Sequence, residues 1–282
     1  MGQKKKYLEL STIPKLFRYL LLFLLFAFLI FLVYSFIPEV MGIDWTKHFG
    51  PAVDDLLKGT NPYSDDQFMI APWIFFLFLP LRFLPTSLAV AIIRTLSFST
   101  YAFVAYRLGA KPLSMLLIMI SPQIMHTLIN ANIDWLAFLG FILPPQIGIF
   151  FVALKPQVGF ALAIYWAFEA YQQKTLIKTF APFIVVLVLS FVFFGLWPFN
   201  FNLVQEAYNA SAWPLSLPFG IVLLVKALKD KEIRIAQAIS PLLSPHVMFY
   251  SWATFLFALI SNPFYLLLAV ASSWLLVGFT IF

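Results

Sequence analysis

The sequence predicts an all-α, polytopic membrane protein, and three observations predict it. Apolar side chains make up 62% of the 282 residues and charged ones only 11%, whereas water-soluble domains run near half apolar and a quarter charged. Apolar stretches with few or no charges recur along the whole chain, which leaves no polar tract long enough to bury a core of its own. Lys and Arg gather in short clusters between those stretches, at Lys4–Lys6, Arg107–Lys111, Lys174–Lys178 and Lys226–Arg234, as expected of cytoplasmic ends. This clustering accounts for the net charge of +6 without a nucleic-acid partner. Cysteine is absent, which excludes disulfides, thiol nucleophiles and thiolate-bound zinc.

With the amino terminus in the cytoplasm, residues 20–37 form the first span. This run of bulky Leu and Phe has no small-x-small cleavage site after it, so it reads as a retained signal anchor. Residues 38–86 then form an outer-face loop with interfacial helices. The loop is acidic, with Glu39, Asp44, Asp54, Asp55, Asp65 and Asp66 against Lys47 and Lys58. Gly50-Pro51 opens a short helix that Gly59 closes, and Ala52, Val53, Leu56 and Leu57 give it one apolar side. Ala71 to Leu84 is apolar but short and carries Pro80, which suits an interfacial helix from which Arg82 snorkels.

Residues 88–282 form the remaining helical bundle. Leu88 to Tyr106 crosses inward and Leu113 to Ile129 outward. Trp135 to Leu143 and Gln146 to Leu154 make a shorter pair around Pro144-Pro145, each arm about half a membrane thick. Val158 to Ala170 crosses inward and Ala181 to Trp197 outward to a second outer loop, Pro198 to Pro214. Leu215 to Leu228, Ile235 to Leu243, Phe249 to Ile260 and Phe264 to Phe282 complete roughly ten crossings in a single integral-membrane domain, residues 1–282, of the plasma membrane.

This topology gathers most of the acids and all three histidines, His48, His126 and His246, at the outer side, which points to a polar site there. Asp44 and His48 are four apart and share a face if their segment is helical. A carboxylate beside an imidazole serves as a general base or as half of a metal site. A helix N-cap worth about 1 kcal/mol explains Asp44 equally well. In Lys155-Pro156-Gln157 a lysine between two apolar half-segments needs either the headgroup region or an anionic partner such as a lipid phosphate. His246, in Ser244-Pro245-His246, suits a packed histidine or a phosphate contact. Asn130, Asn132 and Asp134 end a span, where they satisfy loose backbone groups or line the same cavity as Asp44. Arg94 lies inside a span and faces the interior or a headgroup. Asn209-Ala210-Ser211 matches a glycosylation sequon. No phosphate-binding glycine loop, paired-His zinc helix or serine nucleophile elbow is present.

Taken in order, these motifs resemble the GT-C superfamily of integral-membrane glycosyltransferases, nearest its bacterial polyprenyl-phosphate-mannose-dependent alpha-mannosyltransferase branch. The resemblance runs from about Leu20 to Ile260. Its residues are Asp44-Trp45, Gly59 to Tyr63, Ala71-Pro72-Trp73, Asn130 to Asp134, Lys155 to Gln157 and Ser244 to His246. It implies a GT-C-like fold and inverting transfer of a hexose, such as mannose, from a polyprenyl-phosphate donor to a hydroxyl of a lipid or glycan acceptor at the outer face. By position Asp44 would be the general base, and Lys155 with His246 would hold the donor phosphate. His48, Asn61, Tyr63, His126, Asn132, Asp134 and Gln157 are candidates for the site lining. No cofactor is required, and a divalent metal at Asp44 and His48 stays an open alternative. A transporter or flippase of lipid-linked sugars, or a catalytically silent scaffold, would share the fold.

Overall fold

The computed structural model describes residues 15–38, 42–64, 68–199 and 209–281. The Lys4–Lys6 cluster, Glu39, Asp65, Asp66 and the middle of the second outer loop lie outside the described residues. Within them the chain is helical throughout, without a β-strand.

Proline sets much of the segmentation. It occupies the first helical position, where its missing N–H costs nothing, in α5 (Pro112–Met119), α6 (Pro122–Asn130), α8 (Pro145–Val152), α9 (Pro156–Gln172) and α14 (Pro263–Ile281). Before these come α1 (Lys15–Phe36), α2 (Gly50–Leu57), α3 (Phe75–Arg82) and α4 (Thr86–Arg107), and α7 (Asp134–Gly140) lies between α6 and α8. Then follow α10 (Leu176–Phe194), α11 (Leu217–Asp230), α12 (Ile233–Ala238) and α13 (Ala253–Ala258). Among the described residues, α4 and α10 are each long and apolar enough to cross a membrane. The pair α5 and α6, bent by 53° at the break before Pro122, qualifies as one broken span. Only 11% of the most apolar window of α10 is buried inside the protein, and Ile184, Val185, Val188, Leu189, Val192 and Phe193 stand exposed along it. Such a surface suits an apolar solvent or an apolar partner.

The inner post of the fold is α4, which packs against α1, α5, α6 and α7. Its Arg94 is 2% exposed. The guanidinium donates to the carbonyls of Leu128 at 3.0 Å and Ile129 at 2.7 Å, and to those of Ile37 and Pro38 just after α1 at 3.3 and 3.1 Å. Unfulfilled C-terminal carbonyls attract a cation, so one side chain ties the ends of α1 and α6 to α4.

The half-length pair expected around Pro144-Pro145 is the hairpin α7–α8, and glycine lets it close. A Cβ on Gly148 would meet the Trp166 ring at 2.6 Å and the Gly140 carbonyl at 2.8 Å, and one on Gly159 would collide with Val152. Helices in apolar surroundings use small residues in this way to bring backbones together. At the hairpin tip Gln237 of α12 donates to the Phe141 carbonyl at 3.0 Å. Neighbouring chain thus supplies the partner that a broken segment lacks.

On the other side of the site, α2 runs from Gly50 to Leu57 with Gly59 at a φ of 75°, as the Gly50-Pro51 start and Gly59 stop predict. Arg82 does not snorkel freely. It donates to both Asp54 oxygens, at 2.6 and 2.8 Å, and joins α3 to α2.

Candidate active site

Six residues from four distant stretches of sequence, Asp44, His48, Asn132, Lys155, Gln157 and His246, line one cavity of about 320 Å³. Its apolar wall comes from Phe49, Met69, Ile70, Leu154, Pro156 and Met248, and Tyr250 completes the polar side.

Asp44 and His48 stand on a single turn of π-helix, Asp44–Phe49, a rare wide turn that recurs at functional sites. Aromatic packing holds it down. Trp45 meets the Phe78 ring edge-on at 5.5 Å and Phe49 stacks on it at 4.9 Å. No ion pair joins Asp44 to His48. The partner of Asp44 is Asn132, whose amide donates to its Oδ2. The same Asn132 nitrogen donates to the Tyr250 hydroxyl at 2.9 Å, and Asn132 Oδ1 accepts from the Asp134 N–H at 2.9 Å. Asn132 is therefore saturated and fixed, just after the left-handed Ala131 that ends α6. Asp44 Oδ1 has no hydrogen bond among the described residues, which leaves one carboxylate oxygen for a ligand. The Tyr250 hydroxyl proton is free in the same sense.

Lys155 precedes Pro156 in a non-helical conformation, φ -138° and ψ 80°, that keeps it out of the helix. Its ammonium lies 3.4 Å from Asp134 Oδ1 and 5.8 Å above the Tyr250 ring. Asp134 is wholly buried and accepts from the Ser251 hydroxyl at 2.9 Å. A buried carboxylate of this kind needs its cation, so Asp134 supports Lys155 from behind the cavity wall.

The Ser244-Pro245-His246 loop is pinned by the residues of the sequon. The Asn209 amide donates to the Pro245 carbonyl at 2.9 Å and accepts from the Val247 N–H at 3.0 Å, while the Ser211 hydroxyl donates to the Ser244 carbonyl at 2.6 Å. Burial, and then the nearby Lys155 charge, hold His246 below its ordinary value, so its imidazole is neutral at pH 7. Its Nδ1 and that of His48 are buried without a hydrogen-bond partner among the described residues. Polar atoms left this way at a cavity wall suit a ligand.

Four expected lining residues stand elsewhere, Asp134 behind the wall among them. Tyr63 packs against Phe68, Phe194 and Trp197 and donates to the Ile70 carbonyl at 2.6 Å. Asn61 caps that turn by accepting from the Tyr63 N–H. Both are structural, because the turn uses its polar groups internally. His126 is one layer back, stacked on Tyr250 at 5.4 Å. Sequence reasoning missed Tyr250 itself, which had no local motif to mark it. Among the described residues no group of three or more His, Asp or Glu is arranged to hold a metal ion. Comparison with protein-family models, curated proteins and solved structures gave no significant match.

Proposed function

We propose that the protein is a multi-pass plasma-membrane hexosyltransferase of GT-C-like fold, its amino terminus cytoplasmic and its cavity open to the outer face. It moves a sugar from a polyprenyl-phosphate donor to a hydroxyl acceptor. The observation that carries this reading is the cavity itself, in which, among the described residues, a carboxylate with one free oxygen shares the wall with a lysine and two imidazoles whose Nδ1 atoms lack a partner. The roughly ten crossings combine α1, α4, α10 and α14 with shorter helices that cross in pairs, and the α7–α8 hairpin enters and leaves on the same side.

In this reaction Asp44 Oδ1 takes the proton of the acceptor hydroxyl as its oxygen attacks the anomeric carbon. The bond from that carbon to the phosphate oxygen breaks, and its electron pair leaves with the phosphate. Lys155 meets the departing charge, and His246 and Tyr250 donate to the phosphate oxygens. In a water-poor cavity such fixed donors are worth several kcal/mol. Attack opposite the phosphate inverts the anomeric centre. A transporter would use the same lysine without a fixed carboxylate, and the Asn132 bond that orients Asp44 favours the enzyme.

The test is transfer by purified protein in nanodiscs from a panel of radiolabelled polyprenyl-phosphate sugars to native membrane extract, with the anomeric configuration of the product determined. Transfer with inversion is expected. Bound donor without any transfer would favour a carrier, and a retained configuration would contradict the single-displacement chemistry.

A further inference from the structure

Asp134 and Lys155 stand at the two feet of the α7–α8 hairpin, one opening α7 and the other directly before α9. Their ion pair closes its base. Asp134 Oδ2 accepts from Ser251, but Oδ1 has no hydrogen bond among the described residues. At 3.4 Å the ammonium holds Oδ1 by charge rather than by an aligned bond. The N–H groups of Lys155 turned away from Asp134 therefore remain available for a ligand at the cavity it lines.

A charge count follows. Among the described residues Lys155 is the one Lys or Arg on the cavity wall, Asp44 stands on the same wall, and Asp134 lies behind it. One positive charge thus faces two negative ones, and a second negative charge on a bound phosphate gains little attraction and meets the field of both carboxylates.

We infer that Asp134 is a positioning residue that fixes the Lys155 ammonium and offsets its charge, so that the cavity prefers a singly charged phosphodiester to a doubly charged phosphomonoester. The inference rests on the proposed transfer. There the sugar donor is the diester and the lipid phosphate left behind is the monoester, so the same pair holds the substrate and releases the product.

The experiment measures binding of a prenyl monophosphate and of its methyl diester to the full-length protein in nanodiscs at pH 8, where the monoester is doubly charged. The wild type should bind the diester more tightly, and a wild-type preference for the monoester would overturn the inference without any variant. Asp134→Asn keeps the shape and removes the charge. It should raise monoester affinity by about tenfold and diester affinity less. Loss of affinity for both, or an unchanged ratio, would make Asp134 merely structural. Lys155→Gln separates the two levels of the argument. If it weakens both probes while Asp134→Asn leaves the ratio unchanged, only this inference falls; if it weakens neither, the phosphate reading falls as well.

Discussion

Asn132 does more for the site than its place at a helix end suggests. Its amide orients Asp44 and Tyr250 while its oxygen caps α7. Replacing it by Ala should lower turnover by about 10²-fold through misplacement of the carboxylate, with a smaller loss of donor affinity through the Tyr250 hydroxyl, as steady-state kinetics and donor binding will read. His246 makes a pH prediction. Because burial and Lys155 hold it below its ordinary value, it is neutral when the cavity is empty, and a bound phosphate pulls it back up. Binding then takes up a proton, so affinity for a prenyl phosphodiester should rise as pH falls from 8 to 6, and His246→Gln should flatten that slope. The stability sign is the opposite. The unfolded chain binds the proton more readily, so stability declines as pH falls through the unfolded value of about 6.5. Six of the polar cavity residues, Asp44, His48, Asn132, Lys155, Gln157 and His246, were legible in the sequence because polar side chains in so apolar a chain need a purpose. Asn61 and Tyr63 misled because a tight turn consumes polar groups in the same way as a site. The contact between Asn132 and Asp44, 88 positions apart in sequence, leaves no local trace.

Proline and glycine govern the elements. Prolines that begin α5, α8 and α9 made those breaks readable beforehand, whereas the bend before Pro122 falls inside the stretch read as one crossing, Leu113 to Ile129. The glycine contacts that let α7, α8 and α9 close were not readable, since they depend on which side chain stands opposite. Gly148→Leu should drive a side chain into Trp166 and cost about 1–3 kcal/mol as overpacking, measurable as a lower unfolding temperature in detergent. Arg94→Leu removes the donor that satisfies four carbonyls. It should cost about 3 kcal/mol and loosen α1 and α6 together, as hydrogen exchange at both helix ends will report. The Asp54–Arg82 pair is weaker, because each side chain is a third exposed, and is worth at most about 1 kcal/mol. The Arg82 hydrogen bond holds Asp54 below the ordinary carboxylate value. The contribution of the pair is therefore present above that value and fades as pH falls below it.

For the molecule as a whole, composition foretold helices apolar enough to cross a membrane, α4 and α10 among the described residues, because a helix satisfies its own backbone groups where water is absent. The short helices kept the number of crossings less visible, since α5 to α8 are each about one third of a bilayer long by rise per residue. The absence of cysteine makes the proposed orientation directly testable with single reporters. Cysteine placed at Lys58 should react with an impermeant maleimide on intact cells, and cysteine at Lys111 or Lys174 only after permeabilisation. The central claim is that Asp44 is the base of a transferase whose cavity holds a lipid phosphate. Its most direct test compares wild type with Asp44→Asn for transfer from a radiolabelled polyprenyl-phosphate sugar and, in the same preparation, for donor binding. Turnover reduced by at least 10³-fold with donor still bound is the predicted result; transfer at the wild-type rate by the variant would contradict it.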